Sequence, residues 1–335
     1  MDGYRVFTWD EEDGRATEVS WELEGTNTSL VVASKLVDVV KHEKLDLLHV
    51  HYAIPHASAA FTAQQILKSQ GIEIPFITTL HGTDITLMGR DPSFEPVITF
   101  AINQSNAVTT VSENLKQDTI NHFKIKREIE VIPNFVCIEE CGVPKADEEL
   151  RKSFAPNGEK ILIHVSNFRK VKRIQDVVKI FDKVHAEIPS KLILVGDGPE
   201  RNRMEEMCRK RNICHSIYFL GKVKDTDRIL AIADLFLLTS RIESFGLAAL
   251  EAMSVKVPVI STNSGGIPEV NVDGYSGYLS EVGDVDSMSA NALKLLKNEE
   301  LLAEFKENAL QQALKFDLMK ILPQYEKLYE RLLQK

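Results

Sequence analysis

The sequence predicts an α/β fold made of two domains, each with a parallel sheet. Short apolar segments alternate with amphipathic helices from residue 30 onward, and a polar segment without strand pattern divides this alternation into two series. The chain has 335 residues, which at roughly 150 residues per domain is enough for two buried cores. Apolar residues make up 44% and charged residues 27%, the balance of an ordinary globular protein.

Predicted strands in the first series are Leu45–His51, Pro75–Leu80, Ala107–Ser112 and Ile129–Pro133, with helices over 53–68 and 113–123. Those in the second series are Lys160–Ser166, Lys191–Gly196, Ile217–Gly221, Asp234–Ser240 and Val257–Thr262, with a helix over 172–186. Strands that are apolar throughout and separated by helices are typical of parallel sheets covered on both faces. We therefore expect two Rossmann-like domains.

We expect the first domain over residues 1–145 and the second over 150–316, with a polar linker around Glu139–Glu159. The amphipathic helix over 317–335 is expected to complete the first domain. Ligands of such sheets bind at the carboxyl ends of the strands. The predicted site is therefore the cleft across which the two domains face each other.

Charge and cysteine content exclude several classes of protein. The net charge is −9, from 40 basic and 49 acidic residues, which disfavours nucleic acid and anionic membrane surfaces as partners. No apolar segment approaches the roughly 18 residues of a membrane span, and the acidic start MDGYRVFTWDEEDGR does not read as a secretory signal. We expect the four cysteines to be free thiols of a cytoplasmic protein, and no zinc or other metal site. Whether the chain forms a homo-oligomer stays open.

The first 30 residues differ from the rest. Two segments typical of strands flank Asp13-Gly14, which predicts a hairpin.

A motif with two glutamates, ESFGLAALEAM over 243–253, follows the predicted strand DLFLLTS. Ser244, Phe245, Gly246 and Leu247 would present free backbone N–H groups at a helix start, which suits a diphosphate. One of the two carboxylates, Glu243 or Glu251, could then face a sugar while the other reaches a ribose diol. The alternative is an amphipathic helix with two solvated acids, which the position after a buried strand disfavours.

Basic residues cluster after another strand, in SNFRKVKRIQDVV over 166–178. They are Arg169, Lys170, Lys172 and Arg173, and cations at a strand's carboxyl end neutralise phosphates. The alternative, a solvated helix start, is disfavoured because cations at a helix N-terminus oppose the macrodipole. Further along, GDGPER over 196–201 has Gly198 in a tight turn but Arg201 where a dinucleotide fingerprint needs its third glycine. A nicotinamide site, and hence an oxidoreductase, is disfavoured.

Histidines follow two strands of the first series. His81 lies in TTLHGTD, at the predicted cleft, unless it is simply a core histidine. In HVHYAIPH, His49 and His51 share one strand face, and Tyr52 is a candidate polar contact at the strand end.

Together these motifs resemble the family-four retaining glycosyltransferases of the GT-B fold, and within them the N-acetyl-α-D-glucosaminyl L-malate synthases of bacillithiol biosynthesis. The resemblance covers residue 30 to the end and includes TLHGTDITLMGRDPSF, VTTVSENL, VIPNFV and SGGIPEV. It implies metal-independent transfer of N-acetylglucosamine from UDP-N-acetylglucosamine to L-malate with retention, with the UDP-sugar as a substrate and no cofactor.

The resemblance also implies roles for individual residues. Glu243 would bind the donor sugar, Glu251 the ribose, Arg169 and Lys172 the diphosphate, and His81 the sugar. Donor binding would further involve Gly198, Phe245, Gly246 and Leu247. On the acceptor side we expect Tyr52, Thr79 and Arg90.

This sequence departs from the family in two places. Asn167 stands where the family has the arginine five residues before the lysine, so Arg169 is expected to substitute for it. The acidic hairpin also stands where the family begins with a strand, a glycine loop and a helix, from which we expect a truncated form or weakened activity. Two alternatives remain: a related UDP-sugar transferase with another acceptor, and a nucleotide-sugar binder with little activity.

Overall fold

The computed structural model describes residues 4–10, 15–21, 29–87, 89, 91–139, 141–144 and 146–334. Contacts divide the chain into a first unit, Met1–Thr110 with Lys116–Val131 and Lys327–Lys335, and a second unit, Val111–Leu115 with Ile132–Glu326. Within the described residues, no helix is long and apolar enough to cross a membrane.

The first unit begins with the hairpin predicted from the sequence. Strands β1 (Tyr4–Asp10) and β2 (Arg15–Trp21) pair antiparallel, with Tyr4 opposite Trp21. The Asp13-Gly14 turn lies outside the described residues.

A separate parallel sheet forms the core of the first unit, and its strand order β3-β4-β5-β6 follows the chain. Its strands are β3 (Leu48–His51), β4 (Phe76–Leu80), β5 (Ala107–Thr110) and β6 (Ile129–Val131). Its helices are α1 (Ser29–Glu43), α2 (Ser58–Ser69), α3 (Glu95–Gln104) and α4 (Glu113–His122), the last beginning in the second unit. Every residue of β4 and β5 is buried, as expected for the inner strands of a parallel sheet.

The second unit has a six-stranded parallel sheet. Its strands are β7 (Lys160–Val165), β8 (Ser190–Val195), β9 (Ile217–Gly221), β10 (Leu235–Leu238), β11 (Val259–Thr262) and β12 (Gly277–Ser280). Its helices are α5 (Glu148–Phe154), α6 (Ile174–His185), α7 (Arg201–Lys210), α8 (Thr226–Leu230), α9 (Leu247–Ser254), α10 (Ile267–Val270), α11 (Val285–Leu296), α12 (Glu299–Ala313) and α13 (Leu318–Leu333). The last helix ends in the first unit.

Strand order in this sheet is β12-β11-β10-β7-β8-β9. The chain runs outward from β7 to β9 and then returns to place β10 on the other side of β7. The boundary between β7 and β10 is therefore a topological switch point, the place where ligands of such sheets bind.

Three expectations about local structure need correction. The second sheet has six strands, not five, because Gly277–Ser280 pairs with β11. The helix expected over 53–68 is broken: Ile54, which precedes Pro55, has an extended backbone, as the proline ring favours. The helix expected from Lys172 begins at Ile174, because Arg173 is left-handed with φ 48°.

The cysteines are not free thiols, as the sequence had suggested. The structure pairs Cys137 with Cys141 and Cys208 with Cys214, with Cα atoms 5.7 and 5.0 Å apart. Each pair is brought together by a local chain reversal, in which Gly142 N–H donates to the Ile138 carbonyl and Ile213 N–H donates to the Cys208 carbonyl.

Candidate active site

Two loops meet at the switch point of the second unit, one after β7 and one after β10. The Arg241 N–H donates to the Val171 carbonyl at 2.8 Å. The Thr239 hydroxyl donates to the carbonyls of Lys172 and Arg173, at 2.9 and 3.1 Å. These bonds hold the basic segment against the start of the glutamate motif.

An ion pair joins the two loops. The Lys172 Nζ lies 2.6 Å from Glu243 Oε2, and the side chains are only 21% and 16% exposed. The Ser240 hydroxyl donates to the same carboxylate oxygen at 3.1 Å. Because both groups are largely shielded from water, the Coulomb attraction between them is screened less than in an exposed ion pair.

Two glycines, Gly265 and Gly266, pack against the backbone of the loop that carries Glu243. Gly265 lies in the loop after β11, and a Cβ on it would lie 1.9 Å from the Glu243 carbonyl oxygen. A side chain there would therefore displace either this loop or the loop that carries Glu243. The neighbouring Gly266 N–H donates to that carbonyl at 2.9 Å. SGGIPEV therefore supports the position of the glutamate.

Helix α9 begins immediately after the loop, with Gly246 left-handed at φ 97°. Phe245 is buried and its ring meets Phe316 edge to face, with centroids 5.6 Å apart, so its side chain is used in packing. Leu247 is 39% exposed. The N–H groups at the start of such a helix have no intrahelical acceptor and can bind an anion.

Glu251 lies on α9 and is half-buried. Burial, and secondarily the charge of Asp227, raise the pKa of its carboxyl group to about 7. None of the described side chains forms an ion pair or a hydrogen bond with this carboxyl group. It is a half-buried acid that can accept or donate hydrogen bonds near neutral pH.

The turn after β8 packs on the basic segment. A Cβ on Gly198 would lie 2.3 Å from the Asn167 carbonyl oxygen, and the Glu200 N–H donates to the Phe168 carbonyl at 3.0 Å. Arg201 pairs with Glu205 at 3.0 Å. The glycine is therefore needed for close packing of two loops.

Arg169 is exposed. Among the described residues no carboxylate pairs with it. Its guanidinium group is available for a ligand.

His164 is a residue of this region that the sequence reasoning missed. Its ring is completely buried in β7, with Nδ1 2.8 Å from the Leu237 carbonyl of β10 and Nε2 2.8 Å from the Ser166 hydroxyl. Burial lowers its pKa to about 4. A neutral histidine therefore bridges the two strands at the switch point, and its only sequence signal is a histidine within an apolar strand.

In the first unit, polar side chains lie at the carboxyl ends of β3 and β4. The hydroxyl of Thr79 is buried and bonds to His49 Nε2 at 2.7 Å and to the Thr109 hydroxyl at 2.6 Å. The Tyr52 N–H donates to the Thr79 carbonyl at 2.8 Å. Tyr52 is half-buried, and burial, with the charge of Asp84, raises the pKa of its hydroxyl.

His81 is half-buried beside Tyr52, with ring centroids 5.1 Å apart. Its Nε2 lies 2.8 Å from His51 Nδ1. Burial, and secondarily His51, lower its pKa to about 4. The structure thus brings Tyr52, Thr79 and His81 together, whereas Arg90 lies outside the described residues.

Asp84 is a second residue that the sequence reasoning missed. It is 1% exposed, and its carboxylate accepts the N–H groups of Ala53 at 2.6 Å and Gly82 at 3.3 Å. It thereby ties the segment after β3 to the segment after β4, and burial raises its pKa.

Comparison with known proteins identifies the family. Residues 145–312 match the family model described as glycosyl transferases group 1, and residues 12–140 match that of glycosyltransferase family 4. The chain is 47% identical over 303 residues to the N-acetyl-alpha-D-glucosaminyl L-malate synthase of Bacillus anthracis, covering 90% of this chain and 78% of the relative. The chain belongs to glycosyltransferase family four.

A further relative and two solved structures are also similar to this chain. An uncharacterized glycosyltransferase of Methanocaldococcus jannaschii is 30% identical over 88% of this chain and 78% of its own. The crystal structure of Anabaena HepE in complex with UDP and glucose aligns with a TM-score of 0.78 at 21% identity, over 89% of this chain and 81% of that one. A Rickettsia africae glycosyltransferase aligns with a TM-score of 0.76 at 21% identity, over 94% and 85%.

The expected α/β fold of the GT-B type, with two Rossmann-like domains, is confirmed for this family-four glycosyltransferase. The protein is an enzyme, a glycosyltransferase. This agrees with the expectation that GDGPER is not the nicotinamide site of an oxidoreductase. Both loops of the switch point lie within the group 1 match, and both strand ends that carry Tyr52 and His81 lie within the family 4 match.

Proposed function

We propose that this glycosyltransferase moves N-acetylglucosamine from UDP-N-acetylglucosamine to the hydroxyl group of L-malate with retention at the anomeric carbon. The observation that carries the proposal is the Lys172–Glu243 pair at the switch point, 2.6 Å apart, in a chain 47% identical to a named N-acetyl-alpha-D-glucosaminyl L-malate synthase. A cation beside a carboxylate in a shielded crevice matches the diphosphate and the sugar hydroxyls of a nucleotide sugar.

On the donor side, Lys172 and Arg169 hold the diphosphate. The backbone N–H groups of Phe245, Gly246 and Leu247 supplement them. Once phosphate engages Lys172, Glu243 is released to accept hydrogen bonds from the sugar. Glu251, whose carboxyl group has no partner among the described side chains, binds the ribose diol, and Gly198 keeps the turn after β8 packed beside Arg169.

The reaction is a front-face displacement. The bond from the anomeric carbon to the UDP oxygen breaks as the bond to the malate oxygen forms on the same face. The malate proton passes to the leaving phosphate oxygen. Cations and N–H groups stabilise the negative charge that develops on UDP, so we propose that no divalent metal is needed.

On the acceptor side we propose Tyr52, Thr79 and Arg90, with His81 contacting the donor sugar. Thr79, whose hydroxyl is already bonded to two side chains, acts by holding the backbone of Tyr52.

The enzyme is proposed to act in the cytoplasm. We propose its domains as 1–145, completed by 317–335, and 150–316. The family matches to 12–140 and 145–312 support that division.

Release of UDP from UDP-N-acetylglucosamine tests the proposal, with L-malate, D-malate, succinate and glycerol as acceptors. Succinate has both carboxylates but no hydroxyl group, so it should inhibit without accepting, whereas glycerol has hydroxyl groups but no carboxylate. We expect UDP release with L-malate and with none of the other three compounds. Faster release with glycerol would favour a transferase with another acceptor, and UDP binding without any release would favour a nucleotide-sugar binder.

A further inference from the structure

Two imidazole rings in the first unit are bonded directly to each other. His51 ends β3 and His81 follows β4, and their facing nitrogens, Nδ1 and Nε2, are 2.8 Å apart. In a bond between two neutral imidazoles, one nitrogen carries the proton and the other accepts it. The bond therefore links the tautomer of His81 to that of His51.

His51 is itself held in place. Its ring stacks on that of His49, with centroids 4.8 Å apart and planes 27° from parallel. Both nitrogens of His49 are engaged, Nδ1 with the Tyr329 hydroxyl and Nε2 with the Thr79 hydroxyl, each at 2.7 Å. The ring beneath His51 is thus anchored to α13 and to β4.

We propose that His51 is a positioning residue for His81, coupling the tautomer of His81 to their shared hydrogen bond and holding the ring plane with which His81 meets the donor sugar. This inference rests on the proposed function of His81. Burial and the neighbouring His51 keep the pKa of His81 low, at about 4. At neutral pH the ring is therefore uncharged and has two tautomers. A partner bonded to one of its nitrogens restricts the exchange between them and the rotation of the ring, which improves the orientation of the substrate contact.

Two variants separate the bond from the stack. His51→Phe keeps a ring on His49 but has no nitrogen, and His51→Asn loses the ring but places an amide near the position of Nδ1. His122→Phe is the control, since His122 is an exposed histidine at the end of α4 whose Nδ1 bonds to the Asp118 carbonyl of the same helix, at 2.7 Å.

Nitrogen NMR of labelled histidines reads the tautomer of His81, and steady-state kinetics read its effect. We expect distinct Nδ1 and Nε2 shifts for His81 in the native enzyme, in His51→Asn and in His122→Phe, and averaged shifts in His51→Phe. We also expect kcat to fall about tenfold in His51→Phe, with KM for the donor within about twofold of native.

A single tautomer of His81 in His51→Phe, or a kcat equal to that of His122→Phe, would overturn the proposal. If His51→Phe does not fold, averaged shifts and low kcat in His51→Asn would overturn it as well. Failure of the proposed function would be seen separately, as a native enzyme that does not transfer sugar while the NMR comparison still shows whether His51 controls His81.

Discussion

Lys172 Nζ and Glu243 Oε2 are 2.6 Å apart, although 71 positions separate the residues in the chain. The two side chains come from loops that follow adjacent strands, β7 and β10. The Arg241 N–H and the Thr239 hydroxyl, which donate to carbonyls of the other loop, fix their approach. The pair lies at the switch point that the strand order creates, so a nucleotide sugar bound there as proposed would exchange partners with both residues.

Replacing Lys172 should weaken nucleotide binding. We expect Lys172→Met to bind UDP at least about tenfold less tightly, or ~1.4 kcal/mol, because the diphosphate loses a cation. Calorimetry measures the affinity. Lys256→Met, which breaks a more exposed lysine–glutamate pair with Glu307, should bind UDP as the native enzyme does. Equal affinities for the two variants would contradict the assignment.

The two glutamates should affect different constants. Ribose is bound alike in the ground and transition states, so Glu251→Ala should weaken UDP binding about tenfold and leave kcat within about twofold. Charge develops on the sugar during transfer, so Glu243→Ala should lower kcat about 100-fold. Steady-state kinetics and UDP calorimetry on both variants decide this. The roles would be wrong if both variants changed both constants equally.

The raised pKa of Glu251 predicts that the free energy of unfolding depends on pH. Its pKa in the folded protein, about 7, lies above the ordinary value of 4.5, so the folded state binds more protons than the unfolded state between these values. Stability due to this group is fully present below pH 4.5 and is lost as pH rises through 7, by at most roughly 3 kcal/mol. Glu251→Gln should therefore gain stability over the native enzyme from pH 5 to pH 8 in urea unfolding. A constant difference would rule out the raised pKa.

Sequence patterns were sufficient for the positions of most strands and for the two loops of the switch point, because buried strands and their following motifs are local. They could not reveal the Lys172–Glu243 pair or the His49–Tyr329 bond, which depend on contacts across 71 and 280 positions. Strand β12 was missed because it begins with Gly277, which is unusual in strands but necessary here, since a Cβ would lie 1.9 Å from the Val259 carbonyl oxygen.

Gly265 should be needed for space as well as for its backbone angle. Gly265 and Gly274 have similar φ angles, 61° and 70°, but their surroundings differ: a Cβ on Gly265 would lie 1.9 Å from the Glu243 carbonyl oxygen, whereas a Cβ on Gly274 would meet nothing within 4 Å. Gly274→Ala should cost about 1–2 kcal/mol for the left-handed backbone alone. Gly265→Ala should cost at least about 1 kcal/mol more and should lower kcat. Urea unfolding of both variants is the measurement, and equal losses would show that the loop yields without disturbing Glu243.

In the proposed function, this family-four enzyme transfers N-acetylglucosamine with retention to L-malate, using the loops at the switch point. NMR of the product made from UDP-N-acetylglucosamine labelled with carbon-13 at the anomeric carbon tests it most directly. We expect an α-linked N-acetylglucosaminyl malate, whose anomeric carbon is bonded to the malate hydroxyl oxygen, formed with L-malate and absent with succinate. A β-linked product, or no malate adduct while UDP-N-acetylglucosamine is consumed, would contradict it.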